Sequence, residues 1–325
     1  MAADLVAVPA SADPAPASGR GRGRRRRRER LRIFSRGDVV VLAVMLGIPT
    51  LLLLALVWGP ALASIGLSTT NWNGIGSITR DNFVGTRNYH NVVSNYPSFG
   101  PALRHNIIWL AFFALISTPI GLLLAVLIDR NLKGSRIYQT AIFLPVVLSL
   151  ALIGFIWQLI YSQDQGLING VLGKTAPGEG IDFLGTSGLN LGAILVAASW
   201  RHVGYVMILY LAGLKSLDPA LREAAALDGA GEIATFRLVV FPALRPINVV
   251  VLVITVIESL RAFDIVYIVN KGTNGLELLS VLVTRNILGE ASRIGFGSSL
   301  AVILLVISLV PITAFLVQTF RGEQR

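Results

Sequence analysis

Six long apolar stretches dominate this sequence and restrict the folds that are open to it. A helix needs about 20 apolar residues to cross roughly 30 Å of hydrocarbon, because each helical residue rises by about 1.5 Å. We therefore predict an all-α polytopic membrane protein with six transmembrane helices. The predicted spans lie near residues 39–58, 106–128, 137–160, 191–214, 247–269 and 296–320.

The composition excludes several other classes of protein. Hydrophobic residues make up 54% of the 325-residue chain and charged residues only 14%, whereas a soluble domain carries about a quarter charged residues. The sequence has no cysteine, which excludes disulfides, thiolate nucleophiles and iron–sulfur clusters. Its three histidines, His90, His105 and His202, are far apart, so there is no local metal motif and we expect no metal site.

The first 37 residues differ in composition from the rest of the chain. They hold ten arginines and end directly before the first apolar stretch. We predict that residues 1–37 form a disordered basic tail on the cytoplasmic side, in contact with membrane lipid, and that residues 38–325 form the transmembrane domain. The alternative, a nucleic-acid-binding arm, lacks interleaved aromatic residues, so no nucleic-acid partner is expected.

The first span has a second interpretation, as a cleaved signal peptide. Arginines precede it, and Ala61-Leu62-Ala63 resembles a cleavage site. However, the apolar stretch 39–58 is longer than the roughly 7–15 residues of a signal core. This length favours a helix that is retained in the mature protein.

The distribution of lysine and arginine predicts the orientation in the membrane. With a cytoplasmic N terminus and six spans, the inner segments carry nineteen basic residues and the outer segments seven. Cytoplasmic loops carry the excess of positive charge in membrane proteins. Both termini are therefore expected in the cytoplasm, and residues 215–246 form the longest inner connection.

Residues 215–246, which we call the connecting segment, contain strong helix signals. Asp218 suits an N-cap and Pro219 suits the first helical position. Good helix formers follow, and Gly229 suits the residue just beyond the helix end. A helix of about ten residues is roughly 15 Å long, which is too short to span a bilayer.

A second short helix is predicted in the connecting segment, near Glu232–Val240. It is expected to stop before Pro242, because proline lacks the backbone N–H that a helix interior uses. The pattern alone leaves two roles open for the segment. It can dock into another protein, or it can lie on lipid headgroups.

The connecting segment also resembles a known family. Glu223-Ala224-Ala225-x-x-x-Gly229, followed by Pro242, resembles the EAA motif of permease subunits of ABC importers. The fuller sequence of the segment is similar to the carbohydrate-uptake branch, of the maltose and glycerol-3-phosphate type. The resemblance covers about residues 40–320. It extends to Phe83-Val-Gly-x-x-Asn-Tyr89, Phe143-Leu-Pro145, Gly166-Leu-Ile-Asn169, Trp200-Arg-x-x-Gly204 and Phe263-Asp264-Ile-Val-Tyr267.

The resemblance implies a role and a set of partners. In such importers the short helix is a coupling helix that docks into a cytoplasmic ATPase, whose ATP-driven movement rocks the membrane helices between inward- and outward-open states. It implies a second permease subunit, two ATPase subunits that use ATP and Mg²⁺, and an extracytoplasmic binding protein that delivers a sugar. It also implies the bacterial cytoplasmic membrane. The implied coupling residues are Glu223, Ala224, Ala225, Asp228, Gly229 and Pro242.

The chain itself is expected to be neither an enzyme nor a holder of a cofactor. Gly173-Lys174-Thr175 resembles the end of a P-loop, but the position of its first glycine holds Ile168. ATP hydrolysis is therefore expected in a partner. Two alternatives to sugar import stay open: import of glycerol 3-phosphate or another polyol, and, from a different class, ion-gradient-driven transport with Glu258 and Asp264 as carriers.

Ionisable residues inside the predicted spans are candidates for the solute pathway. Arg201 lies near the middle of the fourth span. Glu258, Arg261 and Asp264 are spaced three apart on the fifth, which predicts a single polar face. A structural ion-pair network and contact with the solute both remain open, and His202 is interpreted as packed between helices. With aromatic residues that suit a sugar ring, the candidates are Trp200, Arg201, Tyr205, Glu258, Arg261, Asp264 and Tyr267.

Overall fold

The chain is helical throughout the part that the structure shows. In the described residues the computed structural model contains α-helices, short 3₁₀ and π turns, and no β-strand beyond one isolated bridge. The predicted all-α class is confirmed. The predicted basic tail lies outside the described residues except for its last two positions. The described residues are 36–130, 133–174, 176, 178–289 and 292–323.

The helices are numbered in chain order. Those of the first half are α1 (Arg36–Leu53), α2 (Gly59–Leu67), α3 (Arg87–Asn95), α4 (Phe99–Phe112), α5 (Thr118–Asp129), α6 (Ser135–Phe143), α7 (Leu150–Ile160) and α8 (Leu167–Val171). Those of the second half are α9 (Asn190–Ser216), α10 (Pro219–Leu227), α11 (Glu232–Thr235), α12 (Phe241–Ala243), α13 (Arg245–Leu260), α14 (Asp264–Asn270), α15 (Leu279–Leu288) and α16 (Ile294–Glu323). The π turn Phe113–Ser117 joins α4 to α5.

Two compact units make up the chain. Met1–Ala55 is the first and Leu56–Arg325 is the second. The described part of the first unit is mainly α1, an apolar helix with Pro49 in its interior and with its described side chains exposed. The second unit contains all of the other α-helices, and the features discussed below belong to it.

The described residues give the predicted number of six membrane spans only if each of two bent helix pairs is counted as one span. Four helical runs in the described ranges are long and apolar enough to cross a membrane: Gly37–Leu67, Phe99–Asp129, Asn190–Ser216 and Ile294–Val317. Two further runs pass the same test only as bent pairs. These pairs are Ser135–Val147 with Leu150–Ile160, and Glu232–Ala243 with Arg245–Asn270.

The stretch predicted as the third span, 137–160, consists of two helices that meet at 104°. The prediction of one helix here is wrong. Pro145 lies in the 3₁₀ turn after α6 and lacks the N–H that would continue the helix. Ser149 then caps α7, because its hydroxyl accepts a hydrogen bond from the N–H of Leu152 at 3.2 Å.

The stretch predicted as the fifth span, 247–269, is interrupted between α13 and α14. Side chains from other helices bind the carbonyls near the break. Asn106 Nδ2 donates to the carbonyl of Ser259 at 3.2 Å, and the hydroxyl of Ser280 donates to the carbonyl of Ala262. The break is stable inside the protein because these backbone acceptors keep partners.

This interruption also overturns the predicted polar face. Glu258 lies in the last turn of α13, Arg261 is the residue after that helix, and Asp264 begins α14. A spacing of three residues places side chains on one face only while a single helix continues. The three residues therefore do not form the continuous face that the sequence predicts.

The second helix of the connecting segment is longer than predicted. It runs without a break from Glu232 to Ala243, through the π turn Phe236–Val240, so the predicted stop before Pro242 is wrong. Pro242 lies in the first turn of α12. The π turn directly before it already shifts the hydrogen-bonding pattern of the helix, which is where a missing N–H is accommodated.

Helices α5 and α9 pack closely against each other in the second unit. A Cβ placed on Gly121 would lie 2.9 Å from the carbonyl oxygen of Val203 and 2.7 Å from Cγ1 of Val206. Glycine lets the two backbones approach, as small residues do at helix interfaces in membranes. The contact continues into a buried cluster that includes Ala125 and Tyr210.

Candidate functional site

The connecting segment forms the short capped helix that the sequence predicts. The nine residues of α10 begin after Asp218, whose Oδ1 accepts a hydrogen bond from the N–H of Ala220 at 2.9 Å. Gly229 follows the helix with φ of +77°, a conformation that L side chains rarely adopt. The predicted start and end of this helix are confirmed.

The connecting segment presents exposed apolar side chains. Leu227 is 89% exposed, Ile233 84% and Leu238 71%. Glu223 is exposed as well and has no ion-pair partner among the described residues, whereas Ala225 is buried. Leu227 lies one helical turn after Glu223 on α10, and an exposed apolar side chain beside an unpaired carboxylate is typical of a surface that binds a partner.

Two ion pairs connect the connecting segment to the end of α5. Arg222 Nη2 donates to Asp129 Oδ2 at 2.8 Å, and Arg130 Nη2 donates to Glu232 Oε2 at 2.7 Å. A cavity of about 310 Å³ lies beside the two pairs. These contacts place the end of α5 on the same side of the second unit as the connecting segment, which agrees with the predicted topology.

A second cluster of ionisable side chains joins α9 to α13. Arg201 Nη1 donates to Glu258 Oε1 at 2.9 Å, and His202 Nδ1 lies 2.8 Å from Glu258 Oε2. One carboxylate therefore binds two consecutive residues of α9. Arg201 and Glu258 were predicted from the sequence as candidate pathway residues. The structure adds His202, which was not among those candidates, to the same cluster.

His202 is packed between helices, as the sequence predicts. Its side chain is 1% exposed, and its ring stacks on Phe113 with the ring centres 4.2 Å apart. Nε2 lies 3.5 Å from the hydroxyl of Thr118 and 3.4 Å from the hydroxyl of Thr255. The two threonines were not nominated from the sequence, although a polar residue in an apolar stretch is a usable signal.

The charged candidates at the helix break do not join this cluster. Arg261 and Asp264 are exposed, and within the described ranges neither has an ion-pair partner. The sequence predicts Glu258, Arg261 and Asp264 on one face of the fifth span. In the structure Glu258 is paired, whereas Arg261 and Asp264 have no ion-pair partner among the described residues. The reason is the interruption of the helix after Leu260.

The aromatic candidates occupy separate places. Trp200 meets Trp157 edge to face, with 6.1 Å between ring centres, and Tyr267 stacks on Phe263 at 4.9 Å. Trp200 and Tyr267 are each 40% exposed, and Tyr205 is half-buried. Trp200 and Tyr267 therefore stay partly accessible, while one side of each ring contacts another aromatic residue.

A cavity of about 920 Å³ lies between the Phe99–Asp129 helical run, α13 and α16. Thr118 and Thr255 line it, so the hydroxyls that approach His202 belong to its wall. Much of the remaining lining is apolar, for example Leu252 and Phe315. None of the seven candidate pathway residues lines this cavity.

Residues 117–321 match the family described as "Binding-protein-dependent transport system inner membrane component". The chain belongs to this family. The matched region contains the connecting segment and both partners of the Arg201–Glu258 pair. The resemblance to permease subunits of ABC importers is thereby confirmed, and the chain is a multi-pass membrane transport subunit.

Individual relatives extend the match over most of the chain. The xylose/arabinose import permease protein XacH of Haloferax volcanii is 29% identical over 297 residues, which cover 90% of this chain and 92% of that protein. The arabinooligosaccharides transport system permease protein AraP of Bacillus subtilis is 30% identical over 249 residues, which cover 74% of this chain and 78% of that protein.

A solved structure shows the same fold. The crystal structure of a bacterial ABC transporter involved in the import of the acidic polysaccharide alginate contains a chain that matches with a TM-score of 0.73. The two chains are 21% identical, and the match covers 87% of this chain and 96% of the other. The helical permease architecture is therefore shared.

Proposed function

We propose that this chain is a permease subunit of an ATP-driven, binding-protein-dependent importer of sugars, which moves its solute by alternating access. The observation that carries the proposal is the connecting segment. It is a rigidly capped helix, too short to span a bilayer, that leaves Glu223 unpaired beside exposed Leu227. In the proposal, α10 is the coupling helix, and Ala224, Ala225, Asp228, Gly229 and Pro242 complete the coupling set.

The charge of α10 favours a protein partner over lipid headgroups. Helices that lie on membranes are rich in lysine and arginine on their polar face, because they bind anionic lipid. The one basic residue of α10, Arg222, is engaged by Asp129, which leaves the Glu223 carboxylate facing outward. An anionic lipid surface would repel that carboxylate, whereas a basic residue on an ATPase would bind it.

The Arg201–Glu258 pair favours a neutral cargo. A phosphate group is bound by arginine side chains that are free to donate. Arg201 already donates to Glu258 through Nη1, and the carboxylate offsets the charge of the arginine, so this pair attracts a phosphate less strongly than a free arginine would. The exposed faces of Trp200 and Tyr267 suit a sugar ring, and two relatives carry names that refer to pentoses or their oligosaccharides.

The proposal includes the partners and the orientation. A second permease subunit, two cytoplasmic ATPase subunits that use ATP and Mg²⁺, and an extracytoplasmic solute-binding protein complete the importer. Binding-protein dependence follows the description of the family. Both termini are cytoplasmic in this proposal, because the positively charged loops are then inside.

Purification of the complex through a tag on this chain tests the partners. We expect an ATPase and a second permease subunit to co-purify from detergent-solubilised membranes and to be identified by mass spectrometry. Uptake of labelled xylose, arabinose, maltose and glycerol 3-phosphate by cells with and without the chain then tests the cargo. Uptake by vesicles that lack ATP but hold a proton or sodium gradient would instead support a secondary transporter.

Charge reversal in α10 tests the coupling role. Glu223→Lys is expected to abolish uptake while the amount of chain in the membrane stays unchanged, because the partner contact is repelled. Glu179→Lys is the matched control, since Glu179 is exposed in a different loop. Unchanged uptake with Glu223→Lys would reject α10 as the coupling helix.

A further inference from the structure

Asp129 and Arg130 are consecutive residues of opposite charge, and each holds a different helix of the connecting segment. Asp129 binds Arg222 of α10, and Arg130 binds Glu232, the first residue of α11. The partners are 93 and 102 positions away in sequence. One dipeptide at the end of α5 therefore contacts both helices of the connecting segment.

The alternation of charge makes this contact selective for one register. If the connecting segment slid so that the partners were exchanged, Asp129 would face Glu232 and Arg130 would face Arg222. Each exchanged pair has like charges, which repel at such distances. The observed arrangement is thus the one in which both contacts are attractive.

The two ion pairs contribute little to the free energy of unfolding. Their importance lies in how they position the connecting segment relative to α5. Arg130 and Glu232 are largely exposed, and exposed ion pairs are weak because water and salt screen them. A weak contact can still transmit a displacement when it fixes two rigid elements relative to each other. Here the elements are the connecting segment and α5.

α5 leads from this contact to the buried cluster around His202. Thr118 begins the helix and Asp129 ends it, so that the two are roughly 16 Å apart at 1.5 Å per residue. Gly121 brings α5 against α9, and the hydroxyl of Thr118 lies 3.5 Å from His202 Nε2. Movement at one end of α5 therefore reaches residues that line the 920 Å³ cavity.

We propose that Asp129 and Arg130 form a charge clamp that transmits displacement of the connecting segment to α5 and to the wall of this cavity. The inference rests on the proposed function, because the displacement is supplied by the partner ATPase. Asp129 and Arg130 are positioning residues that act through α5. Such coupling is tested by measuring whether a change at the connecting segment alters the wall of the cavity at the other end of α5.

The absence of cysteine from the sequence permits a direct test on the assembled importer. A single Ala114→Cys substitution places a reporter thiol on the wall of the 920 Å³ cavity. The rate of its reaction with a water-soluble maleimide is measured with and without ATP and vanadate, alongside the rate of ATP hydrolysis. In the parent complex, ATP and vanadate are expected to change the maleimide rate.

Reversal of the charge at residue 129 should separate maleimide labelling of the cavity from ATP hydrolysis. Asp129→Arg is expected to reduce the ATP-dependent change in labelling by about fivefold or more, within the usual range of coupling between sites. ATP hydrolysis should continue. Asp129→Arg combined with Arg222→Asp restores the attraction and should restore the change. Arg136→Glu is the matched control, because Arg136 is an exposed basic residue in the same predicted inner loop, and it should have no effect.

Several outcomes would overturn the clamp. An intact labelling response with Asp129→Arg would do so, as would failure of the double reversal to restore the response in fully assembled complex. Asp129→Asn keeps the size of the side chain and provides a second variant if the reversal prevents assembly; a full response with this variant also contradicts the clamp. A parent complex that neither hydrolyses ATP nor responds to it would overturn the proposed function itself.

Discussion

The guanidinium of Arg201 lies 2.9 Å from the carboxylate of Glu258, and this contact ties α9 to α13 inside an apolar bundle. Both side chains are largely buried. The removal of two charges from water is costly, and the cost is offset only when each charge has a well-placed partner. The second oxygen of Glu258 is matched by His202, which completes the arrangement.

Removal of the carboxylate from this cluster should destabilise the fold. Glu258→Ala leaves the Arg201 charge buried without its partner, and we expect a loss of about 3–5 kcal/mol. Thermal unfolding of the purified chain in detergent measures this loss of stability. Asp264→Ala is the control, because Asp264 is exposed and lacks an ion-pair partner in the described residues; equal losses in the two variants would contradict the role of the pair.

Replacement of both charges distinguishes a structural pair from a solute contact. Because Arg201 and Glu258 occupy each other, we expect Arg201→Leu with Glu258→Leu to recover most of the stability lost in Glu258→Ala. Buried ion pairs are often replaced by apolar residues with little loss. Uptake of the cognate sugar by cells should persist. Stable protein without uptake would instead assign the pair a direct part in solute transfer.

The close approach of α5 and α9 depends on the small size of Gly121. Gly121→Ala is expected to cost about 1–3 kcal/mol, because the added carbon would overlap the carbonyl of Val203 and the helices must separate. Gly192→Ala on α9 is the control, since no atom lies within 4 Å of the added carbon. Unfolding temperatures compare the two variants, and a Gly121→Ala protein as stable as its control would disprove the tight contact.

The turn after α10 depends on the backbone conformation of Gly229. Gly229→Ala should strain the left-handed conformation by about 1–2 kcal/mol and reduce uptake. Gly229→Asn should retain more activity, because asparagine tolerates this conformation. Gly231→Ala serves as the comparison, since Gly231 has φ of −69° and open space around it. Similar uptake in all three variants would show that the turn is not required.

Asn169 organises the segment that connects α7 to α9. Its Nδ2 donates to the carbonyls of Ser162, Gln163 and Ile181, and its Oδ1 accepts from the N–H of Ile181 at 3.0 Å. Asn169→Leu removes the side-chain partner of the partly buried N–H and carbonyl of Ile181, at a cost of about 1–3 kcal/mol for each group left unsatisfied. Limited proteolysis should therefore cut this segment faster than in the parent protein.

The control for this experiment is an exposed asparagine. Asn95 lies at the end of α3 and is solvent-accessible. Asn95→Leu should leave the cleavage pattern between α7 and α9 as it is in the parent. Equal resistance of the Asn169→Leu protein would show that other contacts hold the segment.

The features that could be predicted from the sequence depend on neighbouring residues along the chain. The apolar stretches predicted the helical membrane fold, because only helices satisfy every backbone group within a segment in hydrocarbon. Asp218, Pro219 and Gly229 predicted both ends of α10 because capping involves groups only a few residues apart. The predicted stop at Pro242 failed where the π turn before it let the helix continue.

The features that needed the tertiary structure depend on residues far apart in the chain. The break after Leu260 is held by Asn106, more than 150 positions away, and it separates Glu258 from Asp264. The partners of Glu258 come from α9, and those of Asp129 and Arg130 come from the connecting segment. The spacing of residues along the sequence places side chains only within a single continuous helix. Which charges pair depends on the distances between side chains of different helices, and helix packing sets those distances.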